Sequence, residues 1–528
     1  MTSAGFTNEN TWLKASASPE ALEAFHHAYE ASLKKVRGTL GRTYPMLIGG
    51  REVTAAKTFD DTNPANRDEV VARFQKGGPE NVDQAVAAAR AAQPAWEALG
   101  WEKRAALFAK AGDLMAAAKY DLAALMTLEN GKNRVEAIYD VDEAIDFLRY
   151  YAHQMRANQG YEKKMGEPFP GERCTSVMRP FGVFGVIGPF NFPLAIPTGM
   201  ATGALITGNT VVLKPASDTP LMSWEYVQIA LKAGVPKEAV NFVTGGGREV
   251  GQPLLDHPGI DGVVFTGSRE VGMKNYATFV GRRPRPYICE MGGKNAIVVT
   301  AKADLDKAVD GVLKSAFGFG GQKCSAASRA YVHRSKHDAF IERLAEKARA
   351  LKVGNPESRD NGFGPVVNEG AVRTYEDAVA KAKAAGGRFV VGGRALKDGS
   401  FSKGHFVEPA VVTGLPEGHD AFRSEYFVPF IAVAPYEDID RVIDEVNAVD
   451  YGLTSGIFSE DSSEIQRYFD RVQAGVVYAN RARGGSTGAM VGGQSFGGWK
   501  FSATTSRGAG GPHYLEQFMR EQSRTVQA

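Results

Sequence analysis

The chain has 528 residues, with 62 Lys and Arg against 60 Asp and Glu and a formal net charge of +2. Interspersed charge of this kind leaves no footprint for a polyanion, so no nucleic-acid partner is expected. Its 3 cysteines exclude a disulfide scaffold and fit a reducing compartment. The length implies two or three domains rather than one core. The opening run from Met1 to Asn10 has no basic region followed by an apolar core, so a cytoplasmic, soluble protein is expected.

In chain order, apolar residues at helical spacing predict Ala-rich helices over 83–98, 102–118 and 120–130, the last stopped by Gly131. A further helix over 135–155 carries Glu136 and Asp140 one turn apart. The stretch 181–213 holds no charge and is long enough to span a bilayer. It also holds Pro189, Pro193, Pro197 and six glycines, more breaks than a lipid-exposed helix tolerates. It therefore reads as strand (183–187), loop (188–193), helix (195–207) and strand (210–213), with no membrane association. A helix over 224–233 ends at Gly234 and precedes a strand at 240–243. Val263-Val-Phe-Thr-Gly-Ser268 is a strand running through a small polar turn into a helix. Strands at 286–290, 296–300 and 330–333 alternate with helices at 304–316 and 336–351. Beyond a strand at 476–480, residues 484–498 form a glycine-rich loop. Alternation of this kind means an α/β protein with parallel sheets and ligands at strand ends.

The chemistry concentrates at two glycine hinges. Cys324 lies in Phe317-Gly-Phe-Gly-Gly-Gln-Lys-Cys324-Ser325, a thiol reached through Gly320 and Gly321. Glu290-Met-Gly-Gly-Lys294 sets a carboxylate beside a second such turn. Glycine frees the backbone for close approach. A thiol and a carboxylate are the parts needed to attack an aldehyde and then hydrolyse the acyl-enzyme. A lone Cys is more often a small buried hydrophobe, and Cys174 and Cys289 are expected to be of that kind. No His neighbours Cys324; His333 is nearest, on a strand. That counts against a Cys–His hydrolase. No metal is expected.

Phosphate recognition has two candidates. Gly182-x-x-Gly185-x-x-Gly188 does not match the common dinucleotide fingerprint. Gly267-Ser268 at a helix start is stronger, because free N–H groups and the helix dipole attract phosphate; read alone, Ser268 is as well explained as an N-cap. Lys214, at the end of a buried strand, suits ribose hydroxyls or simply marks a strand end.

These runs occur in the order and approximate spacing of one family. Gly188-Pro-Phe-Asn191-Phe-Pro193, Val212-Leu-Lys214-Pro-Ala216, Phe265-Thr-Gly-Ser268, Glu290-Met-Gly-Gly-Lys294, Gly321-Gln-Lys-Cys324, Ser424-Glu425-Tyr-Phe427-Val-Pro429, and Asn480-Arg481 with Phe496-Gly-Gly498 resemble the aldehyde dehydrogenase superfamily over about residues 40–515. The resemblance implies a Rossmann-type cofactor domain with an N-terminal helical extension (1–289) and a small β oligomerisation flap (161–179). A catalytic domain (290–478) and an anchor loop with a C-terminal oligomerisation segment (479–528) complete it, in a homodimer or higher homo-oligomer. It further implies Cys324 as nucleophile, the Asn191 side chain as oxyanion donor and Glu290 as base for hydrolysis. Pro189, Phe190, Lys214, Ser217, Gly267, Ser268, Glu425 and Phe427 would meet the cofactor. Ser217 stands where strict NAD users commonly carry a carboxylate, with Asp218 one residue on, so NAD with tolerance of NADP is expected. Arg248 is a candidate cation for the added phosphate or a solvated loop residue.

Within the superfamily, Asn130-Gly-Lys132, Val135-Glu136-Ala, Asp142-Glu-Ala-Ile-Asp-Phe147, Cys324-Ser325-Ala-Ala-Ser328-Arg329, Thr487-Gly488-Ala489 and Gly510-Gly-Pro-His-Tyr514 resemble the glutamate γ-semialdehyde dehydrogenases. That likeness implies Ser325, Gly488 and Ala489 as grips on the substrate carboxylate. Phe192 and Phe496 would sandwich its stem and Glu136 would face its amino group. Departures lie at 481–487, some three residues longer than usual, at Tyr426 and Val428, and at 503–505. They leave open another carboxylated or aliphatic semialdehyde. A coenzyme A-acylating enzyme or a silent homologue are the further alternatives; Glu290 disfavours the first and the retained Cys324, Glu290 and Asn191 the second.

Overall fold

The structure, a computed structural model, describes residues 5–483 and 490–527. Two seven-stranded sheets form its frame. The first runs, edge to edge, through Tyr287–Glu290, Gly262–Thr266, Val183–Ile187, Thr210–Lys214, Val240–Phe242, Met46–Ile48 and Arg51–Val53. Five strands are parallel and the last two are added antiparallel. Val183–Ile187 and Thr210–Lys214 are buried at every position, which is why they read as unbroken apolar runs rather than alternating ones.

The uncharged stretch resolves into strand, loop, helix Ala195–Ile206 and strand, as expected. Among the described residues no helix is long and apolar enough to cross a membrane. Helix boundaries moved by a few residues where caps decide them. The expected helix 83–98 starts at Pro79, at the N-terminal position where proline's missing N–H costs nothing. The expected 135–155 is Arg134–Ala157, because the Asn133 side chain caps it by accepting from Val135 N and Glu136 N.

The second sheet runs through Arg388–Val391, Ala410–Thr413, Phe430–Tyr436, Ala327–His333, Asn295–Val299, Thr454–Phe458 and Val476–Ala479. All neighbours are parallel except the first pair. Lys214, Thr266 and Glu290 lie at the C-terminal ends of their strands, as the doubly wound rule anticipates. Asn295, Ala327 and Thr454, by contrast, open strands of the second sheet. The cleft lies where the carboxyl ends of one sheet meet the amino ends of the other.

A separate ribbon joins Glu162–Lys164, Glu172–Pro180 and Met519–Gln527, the latter two antiparallel in continuous register from Met519↔Pro180 to Gln527↔Glu172. Cys174 sits on it, half-buried, and is not a core residue as expected. A ribbon with no second layer cannot enclose it. Cys289 is buried, as expected.

Candidate active site

Helix Leu305–Phe317 delivers the chain to a tight turn at Gly318–Gly321. There Phe319, Gly320 and Gly321 take φ of 48°, 61° and 68° in succession. Three left-handed residues in a row reverse the chain abruptly, and a Cβ at Gly321 would stand 2.7 Å from the Val428 carbonyl. The turn is pinned by Gln322, fully buried, whose carbonyl accepts from Val367 N at 2.8 Å. Lys323 Nζ pairs with Glu136 Oε2 at 2.6 Å. Cys324 follows, and its carbonyl accepts from Asn295 Nδ2 at 2.7 Å.

Glu290 ends its strand, and the Gly292–Gly293 turn follows it toward that carbonyl. A Cβ on Gly293 would come within 2.9 Å of Cys324 O, so only glycine lets the carboxylate turn dock on the thiol loop. The Glu290 carbonyl accepts from Gly267 N at 3.1 Å, and Met291 N donates to Ser502 O at 2.8 Å. Oε1 of Glu290 is buried with no hydrogen-bond partner among the described residues. A stranded carboxylate oxygen of this sort demands a reason. Burial pushes its pKa well above the ordinary carboxylate value.

Cys324, Ser325, Glu290, Phe192 and Phe496 line one cleft. Phe192 is buried, and the Lys132 ammonium sits 3.8 Å from its ring centroid. The Cys324 thiol is raised well above its ordinary pKa by burial first, then by the charges of Glu290, Glu425 and Glu143. A raised thiol pKa means little thiolate at neutral pH. Iodoacetamide labelling of Cys324, followed by peptide mass spectrometry, should therefore climb with pH through 9 by about tenfold per unit. A plateau below pH 8 would contradict this electrostatic picture.

Asn191 is 3% exposed, and the described residues give its side chain no hydrogen-bond partner. Its loop is held from behind, where the Phe190 carbonyl accepts from Asn130 Nδ2 at 2.7 Å and from Thr219 Oγ1 at 3.3 Å. Pro189 lies in the same loop, and the Phe190 ring meets Phe427 edge-on at 5.7 Å.

At the carboxyl end of its strand, Lys214 is 6% exposed and, among the described residues, donates to its neighbour Pro215 O at 2.9 Å. Burial lowers its pKa to about 8, partly offset by Asp218 and Glu249. The Ser217 hydroxyl donates to Gly245 O at 3.3 Å, and Asp218 accepts from Asn368 Nδ2 at 3.1 Å. Ser268 caps the 14-residue helix Arg269–Arg282, accepting from Val271 N. Arg248 lies in the exposed part of a single π-turn, Gly247–Gly251. Glu425 is folded onto Gly292–Gly293 and accepts from Gly293 N at 2.9 Å. Burial raises its pKa to about 7.

The sequence profile of the aldehyde dehydrogenase family matches residues 52–524. The chain belongs to the aldehyde dehydrogenase family. A 1-pyrroline-5-carboxylate dehydrogenase from Bacillus mycoides is 39% identical over 504 residues, 94% of this chain and 96% of the relative. One from Halalkalibacterium halodurans is 39% identical over 511 residues, 96% of each. A crystal structure of 1-pyrroline-5-carboxylate dehydrogenase from Thermus with bound NAD aligns with a TM-score of 0.93 at 36% identity, covering 100% of both chains. The aldehyde dehydrogenase fold expected from the motifs is thus the fold observed.

Several supports of this dehydrogenase site carry no sequence signal of their own. Asn295 bridges the thiol loop to the second sheet, donating to Cys324 O and to Ala326 O at 2.9 Å while its carbonyl accepts from Thr454 N at 3.0 Å. Lys132 and Asp140 form a fully buried pair at 2.6 Å, and Asp140 also accepts from Ala195 N at 2.7 Å. Thr504 Oγ1 accepts from Cys289 N at 2.9 Å and donates to Tyr287 O at 2.6 Å, stitching the divergent 503–505 segment to the Glu290 strand. Gly488 and Ala489 lie outside the described residues. The stem of their loop is fixed at Asn480, which exchanges two hydrogen bonds with the Ser459 backbone at 3.0 and 2.8 Å.

Proposed function

We propose that this chain oxidises L-glutamate γ-semialdehyde, the ring-opened form of 1-pyrroline-5-carboxylate, to glutamate with NAD. The observation that carries the reading is the single cleft shared by Cys324 and an unpartnered Glu290 oxygen, walled by Phe192 and Phe496. The names of the relatives supply the substrate class.

The Cys324 thiol gives its proton to solvent, the thiolate sulfur adds to the aldehyde carbon, and the carbonyl π pair moves onto oxygen. Asn191 Nδ2 and the Cys324 N–H face that oxyanion, each such donor contributing about 2.7–4 kcal/mol. Bound NAD supplies the hydride acceptor and, through its cationic ring, a field that favours the thiolate. Loss of hydride from the tetrahedral carbon leaves a thioester on Cys324. Glu290 takes a proton from water, the hydroxide adds to the thioester, and the sulfur departs to regenerate the thiol.

The residues present fit a dinucleotide. Lys214 is a buried ammonium whose one acceptor is a neighbouring carbonyl, leaving donors for ribose hydroxyls. Gly247 has open space where a Cβ would stand, and Ser268 opens a long helix toward a pyrophosphate. Ser217, already donating to Gly245 O, places no charge against a 2′-phosphate, and Asp218 is engaged by Asn368. Both features admit NADP, while the NAD bound in the Thermus relative supports NAD as the main cofactor. Ser325, Gly488 and Ala489 grip the substrate carboxylate. Glu136, tied to Lys323, faces its amino group. Two copies pair through the ribbon at 161–179 and the strand Met519–Gln527 beside it, where Met165, Phe169 and Val526 are exposed.

The test is an NADH assay across L-glutamate γ-semialdehyde, succinate semialdehyde and hexanal. A carboxylate grip should favour the first over hexanal by at least about 100-fold in kcat/KM, since substrates lacking the group leave buried donors unpaired. Equal rates with hexanal would remove the substrate assignment.

A further inference from the structure

Glu425 is flanked by two hydroxyls that converge on one acceptor. Ser424 Oγ donates to one carboxylate oxygen of Asp420, and Tyr426 OH donates to the other at 2.9 Å. Asp420 belongs to the short 3-10 turn Asp420–Phe422, and its carbonyl also accepts from Ser424 N at 2.8 Å. The backbone of residue 425 is thereby clamped from both sides, while its carboxylate leaves in the other direction, onto Gly293 N. That seat exists only because residue 292 is glycine: a Cβ there would stand 1.8 Å from Glu425 Oε2.

Two more contacts surround the clamp. Lys294 is 2% exposed, its Nζ has no hydrogen-bond partner among the described residues, and it lies 5.0 Å from the Tyr426 ring centroid. The far side of that ring meets Phe430 edge-on at 5.6 Å. Phe427, next along, holds φ at +59°, a conformation that a bulky side chain keeps only when its surroundings impose it. Nothing in the fold requires a hydroxyl at position 426. The core on that side is apolar, with Phe422, Val428 and Phe430 buried. The ring packs partly buried against that core, whereas the hydroxyl is spent on Asp420, beside the backbone of Glu425.

We propose that Tyr426, through Asp420 and beneath Lys294, is a positioning residue that aims the Glu425 carboxylate at the bound cofactor. This rests on the proposed NAD-dependent function and on Glu425 meeting that cofactor, as the family resemblance implies. With the clamp released, the carboxylate samples more directions and the cofactor alone loses by it. Tyr426→Phe keeps the ring under Lys294 and against Phe430 but deletes the donor to Asp420.

Binding of NAD to the full chain, followed by calorimetry without aldehyde, tests this. Tyr426→Phe and Asp420→Ala should each weaken NAD about three- to tenfold, and the double variant should be no more than about twofold weaker than Asp420→Ala, because the two act through one hydrogen bond. At saturating NAD the aldehyde KM should stay within about twofold of the parent, a split that general loosening of the fold would not give. Parent-like NAD affinity in Tyr426→Phe, with the protein folded, overturns the proposal. An additive loss in the double variant overturns it as well. If the parent chain binds no NAD, the cofactor reading fails and the clamp with it, whereas parent binding with an indifferent Tyr426→Phe removes the clamp alone.

Discussion

Replacing Cys324 by alanine is expected to lower kcat/KM for aldehyde oxidation by at least about 10⁴-fold, the scale on which loss of a covalent nucleophile is felt. The fold should survive. The side chain is half-buried against the small cluster of Leu453, Val476 and Phe496, so the cavity left by one sulfur costs about 1 kcal/mol. NAD affinity should stay close to the parent value, since no cofactor contact is assigned to the sulfur. Steady-state NADH production, paired with NAD calorimetry on the same sample, checks both halves. A variant that still oxidises aldehyde at a tenth of the parent rate would remove the nucleophile assignment.

Glu290→Gln separates the two halves of the reaction. The amide is nearly isosteric but cannot take a proton from water, so turnover should fall about 10²–10⁴-fold. The first hydride transfer, which uses Cys324 and Asn191, should persist. Rapid mixing with NAD should therefore show one equivalent of NADH per active site and then a near halt. The pH dependence follows from the sign of the shift. Burial raises the Glu290 pKa, so the carboxylate that acts as base forms at a higher pH than an ordinary glutamate requires. Parent turnover should rise with pH until the carboxylate is fully formed, and the Gln variant should lose that slope. Full-rate turnover in the variant would assign hydrolysis to another base.

Much of this site was legible because glycine spacing reports close approach. Gly293 and Gly321 each leave no room for a Cβ, against Cys324 O and Val428 O, and their run of neighbours is what marked the two hinges. The buried strands Val183–Ile187 and Thr210–Lys214 were equally readable, since each carries an apolar run bounded by breakers. The carriers of geometry were not. Asn295 joins Cys324 to Thr454 across more than a hundred residues, and no local pattern distinguishes it from a solvated asparagine. Lys132 and Asp140 would pass for surface charges, yet both are fully buried as a pair, with the Lys132 ammonium against the Phe192 ring. The 503–505 segment reads as a divergence in sequence, but Thr504 spends its hydroxyl on the backbone of the Glu290 strand. Such roles depend on which elements the fold brings together, and periodicity does not encode that.

Trapping the acyl-enzyme addresses the central chemistry most directly. Glu290→Gln, mixed with L-glutamate γ-semialdehyde and NAD and quenched in acid within the burst, should carry one glutamyl group as a thioester, located on the Cys324 peptide by mass spectrometry. Burst NADH with an unmodified Cys324, or with the group on Cys174 or Cys289, would contradict a mechanism built on that sulfur.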